Sequence, residues 1–310
     1  MKILYFNNCW FTNVGEAFID IGGMELTRQI FGKNIQMACL SAMTDYYMKY
    51  SPEKKKKLKT LMSKSKNILP FRANEYLTAD YVIVPGMVGT LEFLQAPSKK
   101  MIDELVSKGC KVIFLGLGCL KYDEEELSTL KKYFEAIKPV LITTRDNETY
   151  EAFKDIAPCV KAIDCAFWGV DAFDPRGFSD KKYEIITFNN TEEPIELRKN
   201  NKNVVRPFHM QYSFKKEDSC NNMMISDTPY DYLTLYANAE RVYTDLVHAT
   251  IISIMYGTPV KCWKVDKRAQ VFDALDGIEC KDGWYSVSES VLKEQKKKIV
   301  EEIHKIIKVV

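Results

Sequence analysis

No two of the nine cysteines in this chain are separated by just two residues, as in CxxC, and no cysteine or histidine cluster has the spacing of zinc ligands. That excludes zinc-ribbon and dithiol redox chemistry, and scattered reduced thiols suit a reducing compartment. Neither sign of charge dominates, since 44 Lys and Arg face 42 Asp and Glu. No overall field therefore selects nucleic acid or a membrane surface. No apolar run approaches the roughly 18 residues of a membrane helix. Met1 to Phe6 passes straight into Asn7 and Asn8 without the apolar core of a signal peptide, so a cytoplasmic location is expected. No internal repeat is found. What the chain does have is 310 residues of which 46% are hydrophobic, enough to pack two domains of ordinary size.

The first half alternates strand and helix. Lys2 to Phe6 reads as a short apolar strand and Asn7 to Asn13 as a polar loop. Gly15-Glu16 opens a helix through Ile30 that stops near Gly32. This is the usual opening of a Rossmann-like domain, which holds ligands outside its carboxyl strand ends. Gly15 lets backbone approach a ligand. Glu16 either complements the helix dipole or holds a sugar hydroxyl or acts as a base. Residues 45–67, with Lys54-Lys55-Lys56-Lys57, read as a solvated helix face. Tyr81 to Val84 is a strand, and the turn after it carries Gly86 and Gly89, which permit a close backbone approach or simply a tight connection. Lys111 to Leu115 is a strand ending at Gly116-Leu117-Gly118, Asp123 to Ile137 a charged helix, and Val140 to Thr143 a further strand. Arg145 follows that strand, where its planar fork either holds a phosphate or carboxylate or pairs with Asp146 or another neighbour. A helix from Glu148 to Phe153 and a strand from Lys161 to Asp164 close this half.

Gly169 to Lys182 holds Gly, Pro, Asp and Ser without periodicity and reads as a hinge. Strands follow at Tyr183 to Phe188 and Asn203 to Val205, the second leading into His209. Thr228-Pro229 starts a helix that runs to Ala239. Val260 to Trp263 is a strand bordered by Lys264 and Lys267. Phe272 to Leu275 looks helical, and Ser288 to Val310 is an amphipathic helix.

The most informative stretch is Arg241 to Val260. It reads as a strand (Arg241 to Thr244), a sharp turn, an apolar helix, a glycine stop at Gly257 and a second strand after Pro259. His248 stands in the first turn of that helix, beyond the carboxyl end of the strand, where free N–H groups favour an anion. Thr244, Asp245, His248, Gly257, Pro259 and Val260 together resemble the polysaccharide pyruvyl transferase family. Asn13-Val14-Gly15-Glu16, Arg145-Asp146 and Asp164-Cys165-Ala166-Phe167 resemble it as well. Leu246 departs from it, standing where the family carries arginine.

The resemblance implies an α/β chain of two Rossmann-like domains in a glycosyltransferase-B-like arrangement. The first would span 1–170 and be joined by the last helix, 288–310; the second would span 178–287. It also implies transfer of pyruvate from phosphoenolpyruvate, as co-substrate, to two hydroxyls of a hexose as a cyclic ketal, without a metal or further cofactor. His248 and Glu16 are then the catalytic candidates. Arg145, Lys264, Lys267, Gly86 and Gly89 are the donor-site candidates, and Asn13, Gly15 and His209 would contact the saccharide acceptor. His304 reads as a surface residue. With Leu246 in place, Arg206, Arg241, Lys264 or Lys267 would have to supply the missing cation. Two other readings stay open: a transferase of the same fold using a nucleotide-sugar donor, and a saccharide-binding relative without catalysis. Neither the acceptor sugar nor the oligomeric state is legible.

Overall fold

The computed structural model describes residues 1–7, 13–41, 73–180, 182–198, 203–210, 222–263 and 267–307. The lysine run at 54–57 and Lys264 lie outside them. Apolar, β-branched and aromatic residues form the strands of two sheets. The first sheet comprises β1 (Lys2–Asn7), β2 (Gln36–Ser41), β3 (Tyr81–Pro85), the short β4 (Val88–Gly89), β5 (Lys111–Cys119), β6 (Leu141–Thr144) and β7 (Cys159–Lys161). They are parallel in the order β2-β1-β3-β5-β6-β7, with β4 beside the end of β5. The helices between them are α1 (Val14–Phe31), α2 (Leu91–Gln95), α3 (Pro97–Ser107), α4 (Glu124–Ile137) and α5 (Asn147–Phe153). Both faces of this sheet are covered, as parallel sheets require. Ile3 and Tyr5 of β1 point into one apolar cluster with α1, while Leu4 and Phe6 point into another beneath α3 and α4.

The second sheet comprises β8 (Glu184–Thr187), β9 (Val204–Pro207), β10 (Met223–Met224), β11 (Arg241–Thr244), β12 (Val260–Cys262), β13 (Glu279–Lys281) and β14 (Trp284–Ser286). Its order is β10-β9-β8-β11-β12-β14-β13, parallel except for the terminal β13–β14 hairpin. Its helices are α7 (Ile195–Arg198), α8 (Pro229–Asn238) and α9 (Val247–Tyr256), with α6 (Gly169–Ala172) before it and α10 (Glu289–Ile306) after it. Gly257 ends α9 in the left-handed conformation at φ 76°, as its position after the apolar run requires.

Several sequence expectations need correction. The strand expected to end at Leu115 continues to Cys119, because a register irregularity at 114–117 lets it resume pairing with β6. The strand expected at Lys161 to Asp164 lies earlier, at Cys159–Lys161. Phe272 to Leu275 is the end of a 3₁₀ segment (Lys267–Phe272) and the turns after it, not an α-helix. The irregular connection begins only at Phe173, since Gly169–Ala172 is helical and Gly169 is buried.

The two sheets are not separated by solvent. One apolar cluster runs from Tyr5 and Phe18 through Cys165–Trp168 to Ala249 and Met255. Gly22 lets the Cys165–Trp168 part of that cluster sit directly on α1, since a Cβ there would collide with the Cys165 carbonyl. The last helix, α10, touches both halves. His304 Nε2 donates to the Ile30 carbonyl at 2.9 Å and Lys296 Nζ to Asp171 at 2.6 Å. Gln295 holds Ala274 O at 2.7 Å and Asp276 N at 3.1 Å. His304 itself is exposed. No described helix is long and apolar enough to cross a membrane.

Candidate active site

In open α/β sheets ligands gather where the strand order reverses. The first sheet reverses between β1 and β3, and the second between β8 and β11. Helix α1 leaves the first of these points and α9 the second, and the structure brings their first turns together. A Cβ on Gly15 would collide with Nδ1 of His248, so the imidazole of one domain lies on bare backbone of the other. Any side chain at position 15 would push it away.

Glu16 follows directly. Burial raises its carboxyl to about 7, a side-chain bond from Asn13 opposing the rise. Its Oε2 has no hydrogen-bond partner among the described residues, and neither does Asn7 Oδ1. Ideal strand and helix spacings put the two at one level of the fold. Tyr5 bonds the carbonyl of Asp20 at 3.3 Å, and Asn7 points to the same face two residues along β1, about 6.8 Å farther. That distance matches four to five residues back along α1, which is the level of Glu16. Asn7 carries no motif and was not legible as a site residue; its only sequence signal is a polar amide at the end of a buried strand.

Asn13 serves α1 as its cap, its Oδ1 accepting from Gly15 N at 3.1 Å. Val14 N donates across the domains to the carbonyl of His209 at 3.0 Å, and Glu16 N to Asn13 O. The opening amides of α1 are thus already bonded within the protein. His209 does not face a ligand. It is 2% exposed, caged edge-on by Phe18, Tyr232 and Tyr236, and bonded through Nε2 to Tyr236 OH at 2.8 Å. Burial, with a smaller contribution from His248, drives its pKa down to about 3, so the ring is neutral in ordinary buffers.

Asp245 is equally engaged. Its carboxylate accepts the amides of Asn189 (3.1 Å), Asn190 (2.9 Å) and Thr191 (2.7 Å) and the Thr191 hydroxyl (3.1 Å). It thereby fills the concave loop after β8 that would otherwise cradle an anion. By contrast α9 begins at Leu246 with no side-chain cap. Leu246 packs against the apolar cluster, so the opening turn of α9 presents backbone and His248.

The expected cations are distributed unevenly. Arg145 lies against Gly118 and pairs with buried Asp164 at 3.1 Å; Asp146 instead caps α5 through Thr149 N. Its strand, β6, is three strand spacings from β1, about 14 Å across the sheet. Arg206 is held in a fork by Glu193 at 2.9 and 3.1 Å. Arg241 opens β11 at the amino edge and pairs with Glu184, at the opposite end of the strand from His248. Lys267 opens the 3₁₀ segment beyond β12. Gly86 packs on Ile19, and Gly89 on Cys119 and Leu130, so both serve strand and helix packing. Among the described residues no group of three or more His, Cys, Asp or Glu could hold a metal ion.

Comparison with known proteins bears on the family and the fold. The model of the family "Polysaccharide pyruvyl transferase" matches residues 13–262. No curated protein is similar enough in sequence to stand as a relative. Among solved structures, a UDP-N-acetylglucosamine 2-epimerase superposes with TM-score 0.54 at 10% identity, covering 98% of this chain and 89% of that one. The S. aureus MnaA–UDP complex gives 0.52 at 11% over 99% and 90%. The Methanocaldococcus jannaschii UDP-GlcNAc 2-epimerase with UDP-GlcNAc and UDP gives 0.51 at 11% over 99% and 92%. At such identities the likeness is one of fold, the two-domain glycosyltransferase-B-like arrangement.

Proposed function

Because this chain belongs to the polysaccharide pyruvyl transferase family, we propose that it transfers pyruvate from phosphoenolpyruvate to two hydroxyls of a saccharide, forming a cyclic ketal and releasing phosphate. The observation that carries the reading is the meeting of His248 with Gly15, the residue before Glu16, at the switch points of both sheets. A carboxyl raised to about 7, one residue along the chain from the backbone that an imidazole rests on, suits proton transfer at neutral pH.

In the first step Glu16 takes the proton of one acceptor hydroxyl as its oxygen bonds to the central carbon of the enol. Protonated His248 gives a proton to the methylene, which becomes a methyl group. In the second step the carbon–oxygen bond to phosphate breaks, its electrons leaving with phosphate, which takes the proton held by Glu16. The second hydroxyl closes the ring and returns a proton to His248. Both residues end as they began. Two acceptor atoms without partners among the described residues, Asn7 Oδ1 and Glu16 Oε2, suit hydroxyl donors and support the acceptor binding against α1. The bonded opening of α1 and the filled loop at 189–191 favour the uncapped start of α9 as the proposed place for phosphate. Since Arg206 and Arg241 are spent on Glu193 and Glu184, Lys264 and Lys267 are the proposed donor cations, with Arg145 outside them. The connection from Phe173 to Lys182 is the proposed hinge between the halves.

Ligand-dependent melting tests the donor. Phosphoenolpyruvate at 100 times its Kd should stabilise by about 2.7 kcal/mol. UDP should leave the transition unmoved, and stabilisation by UDP without phosphoenolpyruvate would replace this reading with a nucleotide-sugar donor.

A further inference from the structure

A closed circuit of contacts runs through the site and uses groups the proposed chemistry leaves idle. It starts at Asp245, whose carboxylate fixes the amides of 189–191. Asn189 then turns its own Oδ1 to accept the backbone N–H of His209 at 3.1 Å. His209, anchored by Tyr236, offers its carbonyl to Val14 N at 3.0 Å. Val14 begins α1, the next residue is Gly15 beneath His248, and His248 lies three residues after Asp245.

We propose that Asn189 and His209 are positioning residues that transmit the placement of Asp245 across the domain interface and so set the separation of Glu16 from His248. Three features argue for this over simple packing. The Val14–His209 bond joins backbone to backbone, so it fixes the height of α1 regardless of side-chain rotamers. His209 is backed on three sides by aromatic rings, so its carbonyl cannot drift without moving Phe18 of the other domain. Burial and the nearby His248 hold its ring neutral, the other titratable groups facing it are Tyr232 and Tyr236 of α8, and among the described residues no carboxylate is bonded to the ring to pull it aside. Acid–base partners must be held to well under an ångström, and a rigid circuit closing on both of them supplies that tolerance.

The inference rests on the reading of Glu16 and His248 as the acid–base pair, and two variants in different domains test it. Val14→Pro deletes the cross-domain N–H at the first helical position, where proline is well tolerated. Asn13 before it is already extended, at φ −149° and ψ 105°, as a residue preceding proline prefers. Asn189→Ala removes the acceptor for His209 from a half-buried loop. Each should lower kcat for phosphate release from phosphoenolpyruvate about tenfold or more, with KM for phosphoenolpyruvate within twofold. The double variant should be no slower than the worse single one, because both cut one circuit. Unchanged kcat with a lowered Tm, or multiplicative losses in the double variant, would overturn the proposal. Amide hydrogen exchange separates this result from failure of the functional reading. Asn189→Ala should speed exchange at the Val14 amide at least tenfold even if the protein never consumes phosphoenolpyruvate, and unchanged exchange there would refute the circuit.

Discussion

Glu16 and His209 carry opposite pH signatures, and these can be read from stability alone. The Glu16 carboxyl is raised in the fold to about 7. Its contribution is therefore present below about pH 4.5 and is lost as pH climbs through 7. His209 is depressed to about 3, so its contribution is present above about 6.5 and is lost on acidification towards 3. Between about 4.5 and 6.5 the two slopes, each about 1.4 kcal/mol per pH unit, oppose each other. Glu16→Gln should remove one of them. The variant should be more stable than the parent by about 2–3 kcal/mol at pH 8, and its stability should rise with pH from 4.5 to 6.5 where the parent is flat. It should also lose about 10²–10⁴-fold in turnover. Chemical denaturation across pH, with phosphate release alongside, checks both. Leu246 belongs to this scale too. It packs on the core, so Leu246→Arg should improve KM for phosphoenolpyruvate no more than about twofold and lower Tm by a few degrees. A tenfold gain would mean that the donor site lacks its cation.

At the scale of elements, the turn from β11 to α9 is the part most legible in the sequence. Gly257, Pro259 and the apolar run between fix its helix and stop from local chemistry. The loop after β8 was not legible. Asn189 and Asp245 are 56 residues apart, and nothing in either sequence neighbourhood signals their meeting. Asp245→Ala should orphan three amides at once and cost about 2–4 kcal/mol, measurable by urea denaturation. Likewise β2 was missed, because Gln36–Ser41 is an edge strand with only one fully buried side chain and lacks the apolar alternation that marks a strand. His209 was read as a ligand contact for being polar beside a strand end; its burial depends on Phe18, some 190 positions earlier. The perturbation of Glu16 arises from burial, which the local sequence of a helix opening does not announce. Sequence placed these residues at the right sheet edges, but only the packing of one domain on the other decides which face ligand and which brace.

The whole molecule is held together by more than its connection at 173–182. Helix α10 clasps Ile30 and Asp171 on one side and Ala274 and Asp276 on the other. Lys296 is buried against a half-exposed Asp171, which makes the pair asymmetric. Asp171→Ala should cost about 3 kcal/mol by leaving a buried ammonium unpaired, whereas Lys296→Met should cost under about 1 kcal/mol. Equal losses would show that the ion pair, not the desolvated charge, is what matters. What the molecule does is decided by phosphate release from phosphoenolpyruvate, measured over a panel of hexoses and hexose-bearing precursors. The parent should release one phosphate for each ketal formed. His248→Ala should fall at least about 10²-fold while melting within a few degrees of the parent. A parent that neither binds nor consumes phosphoenolpyruvate with any acceptor, or a His248→Ala variant as fast as the parent, would contradict the account.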